Sequence, residues 1–211
     1  MRLTAARRKE QGDTIVEVLF AVAVFAMVAV GSLSIMNQGT ATAQRALEIT
    51  LVRQQIDAQA EAIRYIHQSY VAGFQQGGTP TGTAAEWIKM TQDRAEDSAS
   101  DFGQVDTDGR CPAQVPGQNP FIINARQAKV STTKPTMSPP ANGSLPPFSQ
   151  VAYNDDGVSI KAAYGMWVEA VPSKDTSVPG FVDFHIRACW DSPGSSAPVT
   201  LGTIVRLYEP R

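Results

Sequence analysis

Charge is scarce in this chain and, over one long stretch, missing. Lys, Arg, Asp and Glu make up 18% of the 211 residues, below the ~25% usual in soluble domains, and none lies between Glu17 and Arg45. With 18 basic and 20 acidic residues the formal net charge is -2, so there is no case for a chain that binds polyanions over its whole surface. Nucleic acid is not indicated as a partner, and a role in its uptake stays open. Histidine occurs only at His67 and His185 and cysteine only at Cys111 and Cys189, which leaves no HExxH and no Cys/His zinc spacing. G-x-S-x-G, a glycine-rich phosphate loop and a paired-acid motif are absent too. The sequence therefore predicts no catalytic, cofactor-binding or metal-binding residue and no enzyme. Asp106-Thr107-Asp108-Gly109 and Asn154-Asp155-Asp156-Gly157 are fragments of the calcium-loop pattern. Counted from Asp106, glycine falls at 109 instead of 111, and Gly117 stands where a bidentate glutamate belongs, so plain turns are expected. Sixteen glycines and 14 prolines are close to the average share and exclude a collagen-like or fully disordered chain.

What is present at the N-terminus sets the class. Residues 18–36 read VLFAVAVFAMVAVGSLSIM, an apolar run that as a helix covers about 28 Å at 1.5 Å per residue and is apolar on all sides. Arg2, Arg7, Arg8 and Lys9 precede it, which by the positive-inside rule holds the N-terminus in the cytoplasm and sends the remainder across the membrane. The run is longer than the ~7–15 residues of a secretory signal and begins directly after a carboxylate, Glu17. An acid at that edge has a partner, a task, or a place among headgroups beside the positive end of the helix.

Gly12-Asp13-Thr14-Ile15-Val16-Glu17, between the basic leader and the apolar run, resembles the processing motif of type IV prepilins and type II secretion pseudopilins. The resemblance implies cleavage between Gly12 and Asp13 by the prepilin peptidase, assembly through Thr14 and Glu17, and partners in other pilins, the assembly platform and its motor. Residues 1–12 would be the leader, 13–39 the membrane or filament-core helix, 40–72 its amphipathic half and 73–211 the exported head. Asp13 stands where phenylalanine or methionine is usual, a departure that bears on N-terminal methylation and leans the reading towards a minor subunit. Removing the leader changes the formal charge from -2 to -5, because four cations and Glu10 are lost. It also frees an α-amino group that a neighbour's Glu17 could neutralise among packed helices.

Beyond the apolar run, Ile49, Val52, Ile56, Ala60, Ile63 and Tyr70 recur at helical steps with Arg53, Asp57, Glu61 and Arg64 between them. One helix from Thr14 to about Tyr70 is expected, with a break near Gly39 as the variant, an Arg53–Asp57 pair on its surface, and Gly73 and Gly77-Gly78 ending it. Thr83 and Glu86 have the spacing of a capping box, so a short helix should run from there to about residue 96, with Trp87 in the core. Residues 121–123 are a strand candidate, and the five prolines of 131–149 predict an exposed extended loop. Within that loop Asn142-Gly143-Ser144 matches a glycan acceptor but reads better as a turn. Residues 158–171, 181–190 and 199–208 are strand-like. Along 181–190, Val182, Phe184, Ile186, Ala188 and Trp190 share one face while Asp183, His185, Arg187 and Cys189 share the other. The fold class is therefore α+β, an antiparallel sheet packed on the amphipathic half of a long helix.

An exported location favours pairing of Cys111 with Cys189. Cys189 on the polar sheet face fits either a loop crossing that face or an exposed thiol. The expected function is a structural subunit of a pilus-like filament, held in the cytoplasmic membrane and then displayed at the cell surface. A membrane-anchored binding protein with an uncut helix and an anchored hydrolase remain the other readings.

Overall fold

The computed structural model describes residues 14–75, 79–101, 109–139, 146–174 and 180–210. The chain divides into two compact units, Met1–Gln44 and Arg45–Arg211. A single helix, α1 (Ile15–Gln75), runs without a break through Gly31 and Gly39. It also continues past Tyr70 and through Gly73, so Gly73 does not end it. With 61 residues, one glycine near the end costs about 1 kcal/mol, which neighbouring turns can offset. Arg53 and Asp57 do not pair with each other; on this surface Glu61 pairs with Arg64 instead.

The second unit is α+β, as the sequence predicts. Among the described residues, after α1 come α2 (Thr83–Ile88), a five-residue π-helical turn at Lys89–Asp93, and eight strands: β1 (Ile123–Asn124), β2 (Lys129–Val130), β3 (Pro135–Thr136), β4 (Gln150–Tyr153), β5 (Ile160–Tyr164), β6 (Met166–Pro172), β7 (Phe181–Trp190) and β8 (Val199–Tyr208). They form a β1–β2 hairpin, a sheet in the order β3–β5–β4 and an antiparallel sheet in the order β6–β7–β8. The predicted stripe of α1 supplies the core: Val52, Ile56, Ala60 and Ile63 are buried, Ile66 joins them, and Ile49 and Tyr70 pack at its margin. The opposing surface is the predicted inner face of β7, Val182, Phe184, Ile186, Ala188 and Trp190, all buried. Trp87 closes the core between α1 and β7, its ring 4.8 Å from His67, 5.7 Å from Tyr70 and 5.5 Å from Phe184.

Several local expectations are corrected. The stretch 158–171 is two strands in two sheets, β5 and β6, separated at Gly165. That residue has φ +64°, and a Cβ there would stand 2.6 Å from the Cys189 carbonyl oxygen, so only glycine serves. Residue 83 is not a cap: Gly82 (φ +58°) precedes α2 with no side-chain cap bond. Glu86 turns inward, accepting from the Val130 N–H at 2.9 Å and from Lys89 Nζ at 2.7 Å. The helical stretch stops at Asp93, because Ala95 bridges Ala170 and the Glu96 N–H donates to the Ala170 carbonyl. Of 121–123, only Ile123 enters a regular strand, while Phe121 bridges Val168. Nor is the proline-rich stretch wholly exposed. Pro135 is buried in β3, parallel to β5, and Ser149 is buried with its hydroxyl donating to the carbonyls of Gly165 (2.8 Å) and Cys189 (3.0 Å). Gly12, Asp13, Asp106-Thr107-Asp108 and Asn142-Gly143-Ser144 lie outside the described residues.

Candidate functional site: the acidic start and apolar surface of the first helix

Thr14 opens α1: its carbonyl accepts from the N–H groups of Glu17 (2.9 Å) and Val18 (3.3 Å). Glu17 therefore sits in the first turn, where its carboxylate faces the positive end of the helix dipole, and its side chain is exposed. Downstream the apolar side chains face outward on every side. Ile15, Phe20, Phe25, Met27 and Ile35 are each at least 72% exposed, and of residues 14–40 only Ala29 is half-buried while the others are exposed. This helix is long and apolar enough to cross a membrane. Apolar patches above a few hundred Å² are rare on soluble monomers and mark a surface that another apolar phase covers.

The Arg45–Gln75 half of α1 is fastened by polar groups that the hydrophobic pattern did not reveal. Glu48, 4% exposed, accepts from the Trp190 indole N–H (3.0 Å) and the Ser192 hydroxyl (2.7 Å). Gln59, 2% exposed, bonds both backbone groups of Ile123, at 2.7 and 2.8 Å, and Gln55 accepts from the Val151 N–H at 2.6 Å. Each joins α1 to a different part of the β structure and satisfies a group whose burial would otherwise be costly. Their spacing, on the same face as Val52, Ile56 and Ile63, was the available signal.

On the outer face of β7, Cys111 and Cys189 form a disulfide, with Cα atoms 5.8 Å apart. A strap of chain crosses the polar face here, so Arg187 and Cys189 are buried. Glu169, fully buried, accepts from the Ser100 N–H (3.3 Å) and hydroxyl and lies 3.6 Å from Arg187 Nε. Arg187 in turn donates to the Ser100 carbonyl at 2.6 Å. Glu96 accepts from the N–H groups of Gln118 (3.0 Å) and Asn119 (2.5 Å). These acids are committed to holding the strap. His185 lies beside Arg187 on a shallow depression lined also by Gly202, Thr203 and Ile204; burial and the Arg187 charge lower its pKa. Asp183 is held below the usual carboxylate range by the Arg206 guanidinium, bonded at 2.6 and 2.7 Å.

The 154–157 segment is a turn. The Gly157 N–H donates to the Asn154 carbonyl at 2.8 Å, and Asp156 accepts from the N–H groups of Val158 and Ser159 and from the Ser159 hydroxyl. Those bonds, the hydroxyl's above all, lower the Asp156 pKa. Among the described residues no group of three or more His, Cys, Asp or Glu could hold a metal ion. His67 is spent on structure, its Nε2 2.8 Å from the Tyr208 carbonyl. Comparison of the chain with models of known families, with curated proteins and with solved structures finds no match in any of the three.

Proposed function

We propose that this chain is a structural subunit, a minor pilin or pseudopilin, of a type IV pilus-like filament, processed after Gly12 and assembled through its N-terminal helix. It waits in the cytoplasmic membrane, its N-terminus inside, until the prepilin peptidase removes the leader. The assembly platform and motor then add it to a fimbrial filament of other pilins outside the cell, and it performs no catalysis. The observation that carries this reading is the apolar surface of α1, exposed on all sides over residues 15–36 with one carboxylate, Glu17, in its first turn. A bilayer covers such a surface before assembly and a bundle of like helices covers it afterwards. A disulfide-bonded head suits an oxidising exterior.

Mass spectrometry of the mature N-terminus tests the proposal. A chain beginning at Asp13 supports it. One beginning at Met1 makes the helix a permanent tether, and one beginning after Ala29 or later makes it part of a conventional signal. Gly12→Val should block leader removal, and a mature protein of unchanged gel mobility in that variant would refute the assignment.

A further inference from the structure

The two outer strands of the β6–β7–β8 sheet are finished differently. On β6, Val168 exchanges both backbone bonds with Phe121, at 2.8 and 3.1 Å, and the Ala170 carbonyl accepts from the Glu96 N–H at 2.8 Å. From Val199 to Leu207 no such backbone neighbour exists among the described residues. The Glu209 N–H donates to the Gly180 carbonyl at 2.8 Å, so the alternation of an antiparallel pair directs the backbone groups of Val199, Leu201, Thr203, Val205 and Leu207 at β7. Those of Thr200, Gly202, Ile204 and Arg206 then point away from it. The Tyr208 carbonyl, next in that series, accepts from His67 Nε2 as the alternation requires.

Long edges are normally blunted by proline, by bulges, by inward charge or by shortness. β8 pairs with β7 over ten residues with no register shift and contains no proline. Its one charged side chain, Arg206, is matched within the sheet by Asp183. This edge is built to be paired.

We propose that the occupant is a second copy of this chain, the two β8 strands pairing antiparallel about a dyad through Ile204. In that register Ile204 faces Ile204 and Gly202 faces Arg206, and the pairing stops short of Tyr208, whose carbonyl His67 already holds. The two guanidiniums never meet, and each lies opposite a residue without a side chain. On the core side the same register sets Leu201 opposite Leu207 and Thr203 opposite Val205. Leu201 and Leu207 are half-buried at the rim of the core, and their mates would cover them. A dyad at Arg206 would place like charges face to face, and one at Gly202 would leave Arg206 beyond the pairing. An isologous contact of this kind closes on itself, completing both edges in one six-stranded sheet. It does not rest on the filament reading, since neither the leader nor the apolar half of α1 takes part.

The test uses full-length protein in detergent micelles, with association followed by analytical ultracentrifugation. Ile204 is 60% exposed, so Ile204→Lys and Ile204→Glu should keep the fold, which tryptophan fluorescence checks. The wild type should dimerise. Each variant alone should lose at least about ten-fold in association constant through like charges at the dyad, and a 1:1 mixture of the two should recover it. With the native cysteines paired, Ile204→Cys should cross-link through a short bifunctional maleimide to twice the monomer mass. Thr200→Cys should not, its symmetry mate lying about 27 Å away at ~3.4 Å per residue. A monomeric wild type, a dimer indifferent to both charge variants, or an Ile204→Cys product of another mass would overturn the proposal.

Discussion

The two halves of α1 invert the usual relation between polarity and burial. Over residues 15–36 the large apolar side chains are exposed, Phe20 to 72% and Phe25 to 74%, whereas in the Arg45–Gln75 half Glu48 and Gln59 are buried at 4% and 2%. Exposed apolar surface on one helix is a statement about a missing environment, because water alone would select against it. Buried polar side chains on the same helix are a statement about register, because each has a single set of partners and a shift by one turn would strand all of them.

The sharpest way to break this comparison is at Glu17. On the filament reading, Glu17→Ala should leave leader cleavage and membrane insertion unchanged or slightly improved, and should lower recovery of the protein in sheared surface filaments more than about ten-fold. Recovery at the wild-type ratio would reduce Glu17 to an interfacial acid. Next in size is the covalent tie across the head. Opening Cys111–Cys189, which spans 78 residues, should cost up to about 4.5 kcal/mol on the chain-entropy account. Thiol alkylation before and after reduction, paired with denaturant unfolding, measures both the bond and its worth.

A matched pair of truncations compares the halves directly. Ile63, fully buried, should lose roughly 2–4 kcal/mol on substitution by alanine. Phe25→Ala should change head stability by less than about 0.5 kcal/mol despite removing more apolar surface. Similar losses at both sites would mean that the apolar half packs on its own chain. The smallest effect should come from His185. Its folded pKa lies below the ordinary 6.5, so as the pH falls through 6.5 the unfolded chain takes up the proton first and stability declines, levelling off below the folded pKa. Arg187, whose charge opposes protonation, and Glu169 and Asp183, which favour it, are the charged groups acting on His185. Denaturant midpoints at pH 7.5 and 5 should differ less in His185→Gln than in the wild type.

Much of the head was legible in the sequence, because period and burial agree there. The stripe Val52, Ile56, Ala60, Ile63 and the alternation of β7 place the core correctly, and the Cys111–Cys189 pairing followed from compartment alone. What escaped depends on contacts distant in sequence. The split at Gly165 is set by the Cys189 carbonyl packed against it. β4 begins beside prolines, and Val151 in it is fixed by Gln55 of α1, 96 residues away. The S/T-x-x-E pattern at Thr83 failed because Glu86 found a better donor in the Val130 N–H. At the candidate site the apolar run was legible in the sequence, and Glu17 lies in the first turn of the helix it forms. Glu48 and Gln59 were hidden by being polar, since periodicity marks the face of a helix but not which of its polar groups will find a buried partner.

Glu48 has a mechanical consequence. Followed from the N-terminal side, it is the first buried residue of α1, and its carboxylate grips Trp190 and Ser192, immediately beyond Cys189. Tension drawn along the helix thus enters the head beside its only covalent cross-link, on the central strand of its largest sheet. There the load meets ten residue pairs with β8, seven with β6 and a sulfur–sulfur bond together, so the head is loaded at its strongest seam and not peeled from a free end.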